Sequence, residues 1–467
     1  MLSASNQTPT LPLPVPFFLY NDVTILHGLM GHCLKRKKRR LEKRSRWTTA
    51  AVDLRYDASL GAVHEFAAAK YFARMMMTHP WRTFEPAEAE VFIIPIDVDP
   101  SDLDEDDSQM CGPQMYEQHL FETMRLVFQQ SHIRKKSGAD HFWMMSASYP
   151  ERLIEKFAPT MAEALRTAAH LHFMTVGVME LFPGRSLKAT PLEGSDLYTL
   201  KGDLRKRPWR CSLPVPFVQS FPFSKHEAEP FEAWTKRRYM FYHQFSGFYQ
   251  DEYSRSLRAQ ALKVPSVARR PARVWVGDKF VPSSELQRGF QSSRFCFAIA
   301  GRNGGPTRKF YDAVLHNCIP VVVSDQWLYA FAPFAGHIRH EAYAVFIPEE
   351  QWMRNLTGVV RRLEAMPRRE LAARYQALLE VAPLLSYDRP DSHALGSVLL
   401  WELRQQCGTQ QGPVRDEKLY PVDVPLRRLR PTSPLNGLQV AEELFRHPTQ
   451  LSWKWHHDPA TTSDFMG

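Results

Sequence analysis

Along this chain short continuous apolar runs alternate with longer stretches whose apolar positions recur every three or four residues. The first run, PFFLYNDVTIL at 16–26, is β-branched and aromatic after a proline and predicts a buried strand. Over 62–79, Val63, Phe66, Ala67, Tyr71, Met75 and Met76 repeat at helical spacing and Pro80 closes the segment, predicting an amphipathic helix. The run 91–96 is apolar at every position, which predicts a strand covered on both faces and hence a parallel sheet. A helical pattern over 114–130, a strand in HFWMMSAS, a helix over 159–172, a strand over 172–178 and a strand in CSLPVPFV complete a first series. A second begins at Arg237: strand RRYMFYHQF, helix 251–262, strand ARVWVGD, helix 284–291, strand RFCFAIA, helix 306–317, strand IPVVVSD. Two consecutive series of this kind predict an α/β protein of two doubly wound, Rossmann-like lobes. The expected division is a tail at 1–15, a first lobe at 16–225, a second lobe at 235–407 and an irregular extension at 408–467, with the hinge over 220–234.

A length of 467 residues suits two or three domains, and 44% hydrophobic with 23% charged residues is the composition of a folded globular chain. The formal charge of +9 is concentrated in KRKKRRLEKRSR at 35–46, which holds nine basic residues and one acid. A balance confined to one run does not describe a nucleic-acid surface, which spreads cations over a face and interleaves aromatics. The run reads as a solvated loop, with an import signal or contact with an anionic polymer or membrane as alternatives. The six cysteines show no CxxC pairing, so neither a zinc site nor a disulfide scaffold is indicated. Cys296 and Cys318 are expected as buried packing groups, a disulfide between them requiring an oxidising compartment. No apolar run reaches the ~18 to 20 residues that cross a bilayer, and the first residues lack a signal-peptide pattern, so the chain as written reads as soluble.

The window 292–325, SSRFCFAIAGRNGGPTRKFYDAVLHNCIPVVVSD, carries the candidate chemistry. Gly301, Gly304 and Gly305 allow close backbone approach to a ligand, and Pro306 suits the first turn of a helix whose amino terminus attracts an anion such as phosphate. Arg308 and Asp312, four residues apart, offer a guanidinium fork for phosphate oxygens and a carboxylate for sugar hydroxyls. The plainer alternative is a surface ion pair beside a glycine turn. Ser324 and Asp325 follow the next strand, at the carboxyl end where open α/β sheets bind ligands.

Those residues resemble the signature of exostosin-like glycosyltransferases: Ser293, Phe295, Cys296, Gly301, Arg308, Asp312, Ala313 and the run 318–325, CIPVVVSD. In the first lobe FFLYND, WRTFEPAEAEVFIIPI and GADHFWMMSAS resemble further motifs of that family in the same order, and the likeness extends over about 16–402. Ile299, Arg302 and Pro306 depart from the family pattern. The resemblance implies a two-lobed fold of GT-B type and an inverting transferase. It would bind a nucleotide sugar, expected as a UDP-sugar, on the second lobe and a glycan acceptor on the first, with no metal and no other cofactor. The implied donor-binding set is Ser293, Gly301, Gly304, Gly305, Thr307, Arg308, Asp312, Ser324 and Asp325; Asp140, His141 and Asp97 are the candidates for the base. It implies a Golgi membrane location and leaves room for a homo- or hetero-oligomer. Two other readings remain at this point: a degenerate member that binds glycans or scaffolds partners without turnover, and a metal-dependent GT-A-like transferase using Asp97 and Asp99.

Overall fold

The computed structural model describes residues 13–20, 68–94, 132, 140–144, 175–178, 211–220, 229–245, 252–279, 281–300, 308–325, 327, 332–387 and 393–408. The basic run 35–46, the acidic segment 97–107, the helical patterns at 114–130 and 159–172, the glycine loop 301–305 and all but the first residue of the extension 408–467 lie outside them.

In the first series β1 (Phe17–Leu19), helix α1 (Ala68–Met77), β2 (Arg82–Thr83), β3 (Val91–Ile94), β4 (His141–Met144), β5 (Thr175–Val178) and β6 (Cys211–Pro214) follow in order. The six strands form one parallel sheet in the order β2-β1-β3-β4-β5-β6. All four residues of β3 and of β4 are buried, as continuous apolar strands of a two-sided sheet must be. β2 has no counterpart in the sequence reading, because a two-residue edge strand leaves no periodic signal.

The second series holds α2 (Phe231–Thr235), β7 (Tyr239–Gln244), α3 (Glu252–Ala261), α4 (Val264–Val267), β8 (Val274–Gly277), α5 (Ser283–Gln291), β9 (Ser293–Ile299), α6 (Lys309–Leu315), β10 (Ile319–Val323) and β11 (Val345–Ile347). Its five parallel strands run β11-β10-β9-β7-β8. Each sheet therefore reverses its winding once, between β1 and β3 in the first and between β7 and β9 in the second. Reversals of this kind are where such sheets open a crevice at their carboxyl edge.

The chain then forms α7 (Glu349–Arg354), α8 (Leu356–Glu364), α9 (Arg368–Val381) and α10 (His393–Glu402). α10 returns to the first lobe: Gly396 lies against Met75 and Met76 of α1, and His79 bonds the His393 carbonyl at 3.1 Å and the Ser397 hydroxyl at 3.2 Å. The outbound and returning crossovers touch, since the Tyr387 hydroxyl donates to the Pro216 carbonyl at 3.0 Å.

Cys296 on β9 and Cys318 before β10 form a disulfide across a Cα–Cα distance of 5.8 Å, which corrects the expectation of plain packing. The pair is buried with Tyr242, Phe290, Ala313 and Leu315, and it ties together the two strands that flank α6. Closing a 22-residue separation restricts the unfolded chain by about 3 kcal/mol. Replacing both cysteines by alanine lowers unfolding stability by about 3 kcal/mol in denaturant titration; an unchanged midpoint would show that the bond contributes nothing.

Candidate functional site

The winding reversal of the second sheet places two strand ends side by side: His243 and Gln244 close β7, and Ile299 closes β9 ahead of the segment leading to Arg308. α6 spans seven residues, shorter than the expected 306–317, with Arg308 at its amino-terminal boundary. Gly301, Gly304, Gly305 and Thr307 lie outside the described residues. What the structure does bring together at this edge is positive charge on side chains.

The Lys309 ammonium donates to the Gln244 backbone carbonyl at the end of β7. Burial of the ammonium, reinforced by the Arg258 guanidinium from α3, pulls its pKa down to about 7, while Asp312 pulls the other way. Arg308, at the amino-terminal boundary of α6, acts on the same group, so two guanidinium groups lie within electrostatic reach of the ammonium that meets the end of β7. Like charges so close repel each other, and an anion between them relieves the repulsion.

His243 lies under this cluster, 2% exposed, with its Nδ1 at 2.9 Å from the Phe297 carbonyl of the neighbouring strand. A carbonyl only accepts, so Nδ1 carries the proton and Nε2 is the bare nitrogen. Burial first, then Lys309 and Arg258, hold the imidazole pKa well below its ordinary value, and the ring is neutral at pH 7.

Asp312 is placed differently from the sequence expectation. It is 1% exposed, and its two carboxylate oxygens accept from the backbone N–H and the hydroxyl of Ser220, both at 2.6 Å. Burial raises its pKa, while Arg308, Ser220 and Lys309 oppose that rise. In this structure the carboxylate holds the crossover segment through Ser220. Ser293 is fully buried at the opposite, amino end of β9, away from the carboxyl edge. Ser324 is buried and Asp325 exposed just past β10; the Asp325 carboxylate accepts from the Glu349 N–H at 2.9 Å, and Glu349 accepts from the Asp325 N–H at 3.2 Å. Asp325 thus anchors the start of α7 at the crevice rim.

In the first lobe Asp140 and His141 do meet: His141 Nδ1 is 2.8 Å from Asp140 Oδ1, and its Nε2 is 2.7 Å from the Tyr20 hydroxyl. Burial and the Asp140 charge push the Tyr20 pKa far up, so the phenol stays protonated and donates to Nε2. His141 is fully buried, stacked on Phe92 at 4.7 Å, and opens β4 at its amino end. Both ring nitrogens are engaged inside the lobe, as in a packed, hydrogen-bonded core histidine. Asp97 and Asp99 lie outside the described residues.

The sequence reading missed Lys309, Arg258, His243 and Ser220. Lys309 was visible as the neighbour of Arg308, and His243 as a polar residue near the end of a strand at a winding reversal. Arg258 and Ser220 have no local signature, since their roles arise from tertiary approach.

Two parallel α/β lobes joined by a double crossover form a fold of the GT-B class. The Exostosin GT47 domain model matches residues 35–363, and the chain belongs to that family of glycosyltransferases. Over 197 residues the chain is 25% identical to the Xyloglucan galactosyltransferase MUR3 of Arabidopsis thaliana, a match covering 40% of this chain and 31% of the relative. The chain thus spans about a third of the length of that curated relative. Among solved structures, the α,α-trehalose 6-phosphate synthase of Burkholderia multivorans is similar at 9% identity and a TM-score of 0.29, covering 64% of this chain and 77% of that one. The GtfA/B complex is similar at 10% identity and a TM-score of 0.32, covering 61% and 60%. Superpositions this shallow carry nothing further. Among the described residues no helix is long and apolar enough to cross a membrane.

The lowered Lys309 pKa fixes the sign of a pH effect. Between about pH 7 and the ordinary lysine range the unfolded chain holds a proton that the folded chain has lost, so folding stability rises with pH through that window. Lys309→Met removes this contribution. The melting temperature of the variant minus that of wild type therefore falls as pH goes from 7 towards 10; a constant difference would contradict the placement.

Proposed function

We propose that this protein transfers a sugar with inversion from a nucleotide sugar, a UDP-sugar in the first instance, to a glycan acceptor. Membership of the exostosin GT47 family supports the reaction class. The observation that carries the donor assignment is the convergence of Arg308, Lys309 and Arg258 on the carboxyl edge of the second sheet, at its winding reversal. A leaving diphosphate brings negative charge, and fixed cations aimed at it stabilise the transition state without a bound metal. Arg308 supplies a guanidinium fork, Lys309 and Arg258 supplement it, and of the residues that precede Arg308 in sequence Gly301, Gly304 and Gly305 let the diphosphate approach the backbone while Thr307 offers a hydroxyl. Asp312 serves this site by fixing α6 through Ser220, and Ser324 and Asp325 form the opposite rim. Ser293 supports β9 from its far end.

Inversion requires a base that deprotonates the acceptor hydroxyl in a single displacement. With His141 and Asp140 bonded to each other inside the first lobe, the proposal turns to Asp97, three residues past the carboxyl end of β3, the strand beside that sheet's own reversal. A glycan acceptor would then lie on the first lobe, facing the donor. A secretory-pathway location accords with the Cys296–Cys318 disulfide, since such bonds persist in oxidising compartments.

Arg308→Lys keeps the charge and loses the bidentate fork. In an assay of sugar transfer from a UDP-sugar in EDTA, its kcat/KM falls by about 100-fold with a melting temperature near that of wild type. Undiminished transfer by that variant would remove Arg308 from the site.

A further inference from the structure

His243 is a buried histidine with one unanswered atom. Its Nδ1–H is committed to the Phe297 carbonyl, whereas Nε2 is buried and has no hydrogen-bond partner among the described residues. A buried acceptor left unsatisfied costs about 1 to 3 kcal/mol, so a fold that keeps one at its ligand-binding edge has a use for it. The ring cannot adjust by exchanging tautomers, because moving the proton to Nε2 would set a bare Nδ1 against a carbonyl oxygen.

The surroundings restrict what can complete it. A metal ion on Nε2 would sit in the field of Lys309 and Arg258, both of which act on this ring. An anionic oxygen would meet a lone pair. A neutral group carrying a hydrogen, next to an anion held by those cations, satisfies every atom present. A nucleotide sugar has that pattern: hydroxyls on the ribose and on the transferred sugar flank its diphosphate.

We propose that His243 is a donor-positioning residue whose Nε2 accepts a hydrogen bond from a hydroxyl of the bound nucleotide sugar while Lys309 and Arg258 hold the adjoining phosphate. This rests on the donor site assigned above and deepens it. His243 thereby reads whether a hydroxyl is present at one position, a discrimination that buried hydrogen-bonding groups make well.

The two hydroxyl sources and the two levels of inference separate in one calorimetric series in EDTA, using UDP, 2′-deoxy-UDP and UDP-galactose, with the GDP counterparts if the wild type binds GDP instead. His243→Asn places an amide N–H near the position of Nδ1, keeping the bond to Phe297, and deletes the Nε2 acceptor. His243→Gln restores an acceptor near Nε2. The expected result is about tenfold weaker binding in His243→Asn and recovery in His243→Gln. If the ribose 2′-hydroxyl is the source, wild type loses the same factor towards the 2′-deoxy ligand, and His243→Asn does not distinguish it from UDP; if the 3′-hydroxyl is the source, His243→Asn weakens UDP and 2′-deoxy-UDP alike while wild type binds the two equally. If the transferred sugar is the source, only the UDP-galactose affinity responds to the substitution. Imidazole ¹⁵N spectra of wild type keep the inference testable should His243→Asn not fold: the Nε2 resonance must move when UDP-galactose is added. Wild-type affinity of His243→Asn for every ligand, or an unmoved resonance in a protein that binds them, overturns the proposal while leaving the donor site standing. A wild type that binds no nucleotide or nucleotide sugar overturns both.

Discussion

The geometry of the candidate site depends on one buried carboxylate. Asp312 sits on α6 with almost no exposure, and a charge so placed is tolerated only with strong partners. Ser220 supplies two, its backbone N–H and its hydroxyl, from the segment that leaves the first lobe. Because that bond fixes α6 against the crossover, it also fixes Arg308 and Lys309, one turn earlier on the same helix. The link that joins the lobes thus sets where the cations stand. Tyr387, on the returning crossover, braces the same outbound segment through Pro216, so both passages of the chain between lobes converge there.

Around this anchor each sheet solves the same problem. Parallel strands buried on both faces leave only their carboxyl edges for polar chemistry, and the change of winding opens that edge. In the second lobe the opened edge holds Lys309, its pKa lowered by burial and by Arg258, beside a neutral His243. In the first lobe Tyr20, His141 and Asp140 form a hydrogen-bonded chain with the imidazole stacked on Phe92. The lobes share an architecture and differ in the polar groups it carries.

Much of the fold was legible because apolar periodicity reports burial directly: within the runs at 91–96 and 319–323 lie the strands Val91–Ile94 and Ile319–Val323, and within the helical repeats at 62–79 and 251–262 lie the helices Ala68–Met77 and Glu252–Ala261. Short edge strands escaped, since β2 and β11 are two and three residues long. The site was legible in part. Arg308 and its glycine loop stand out as sequence, and so did the pair Arg308–Asp312, but which way a side chain turns on a seven-residue helix is decided by its neighbours. Ser220, 92 positions away, is the partner of both Asp312 carboxylate oxygens. His141 looked like a base by type and motif, yet its position at the amino end of β4 is a matter of register, invisible until Phe92 and His141 are paired. Cys296 and Cys318 were recognised as neighbours, and the covalent bond followed only from their spacing across β9 and β10.

The central claim is that the carboxyl edge of the second sheet receives the diphosphate of a nucleotide sugar. It is tested most directly by a crystal structure of the protein with UDP bound in the presence of EDTA. The account predicts phosphate density within hydrogen-bonding distance of Arg308, Lys309 and Arg258, at the carboxyl ends of β7 and β9. UDP bound in the first lobe, or with its phosphates remote from all three cations, would contradict it.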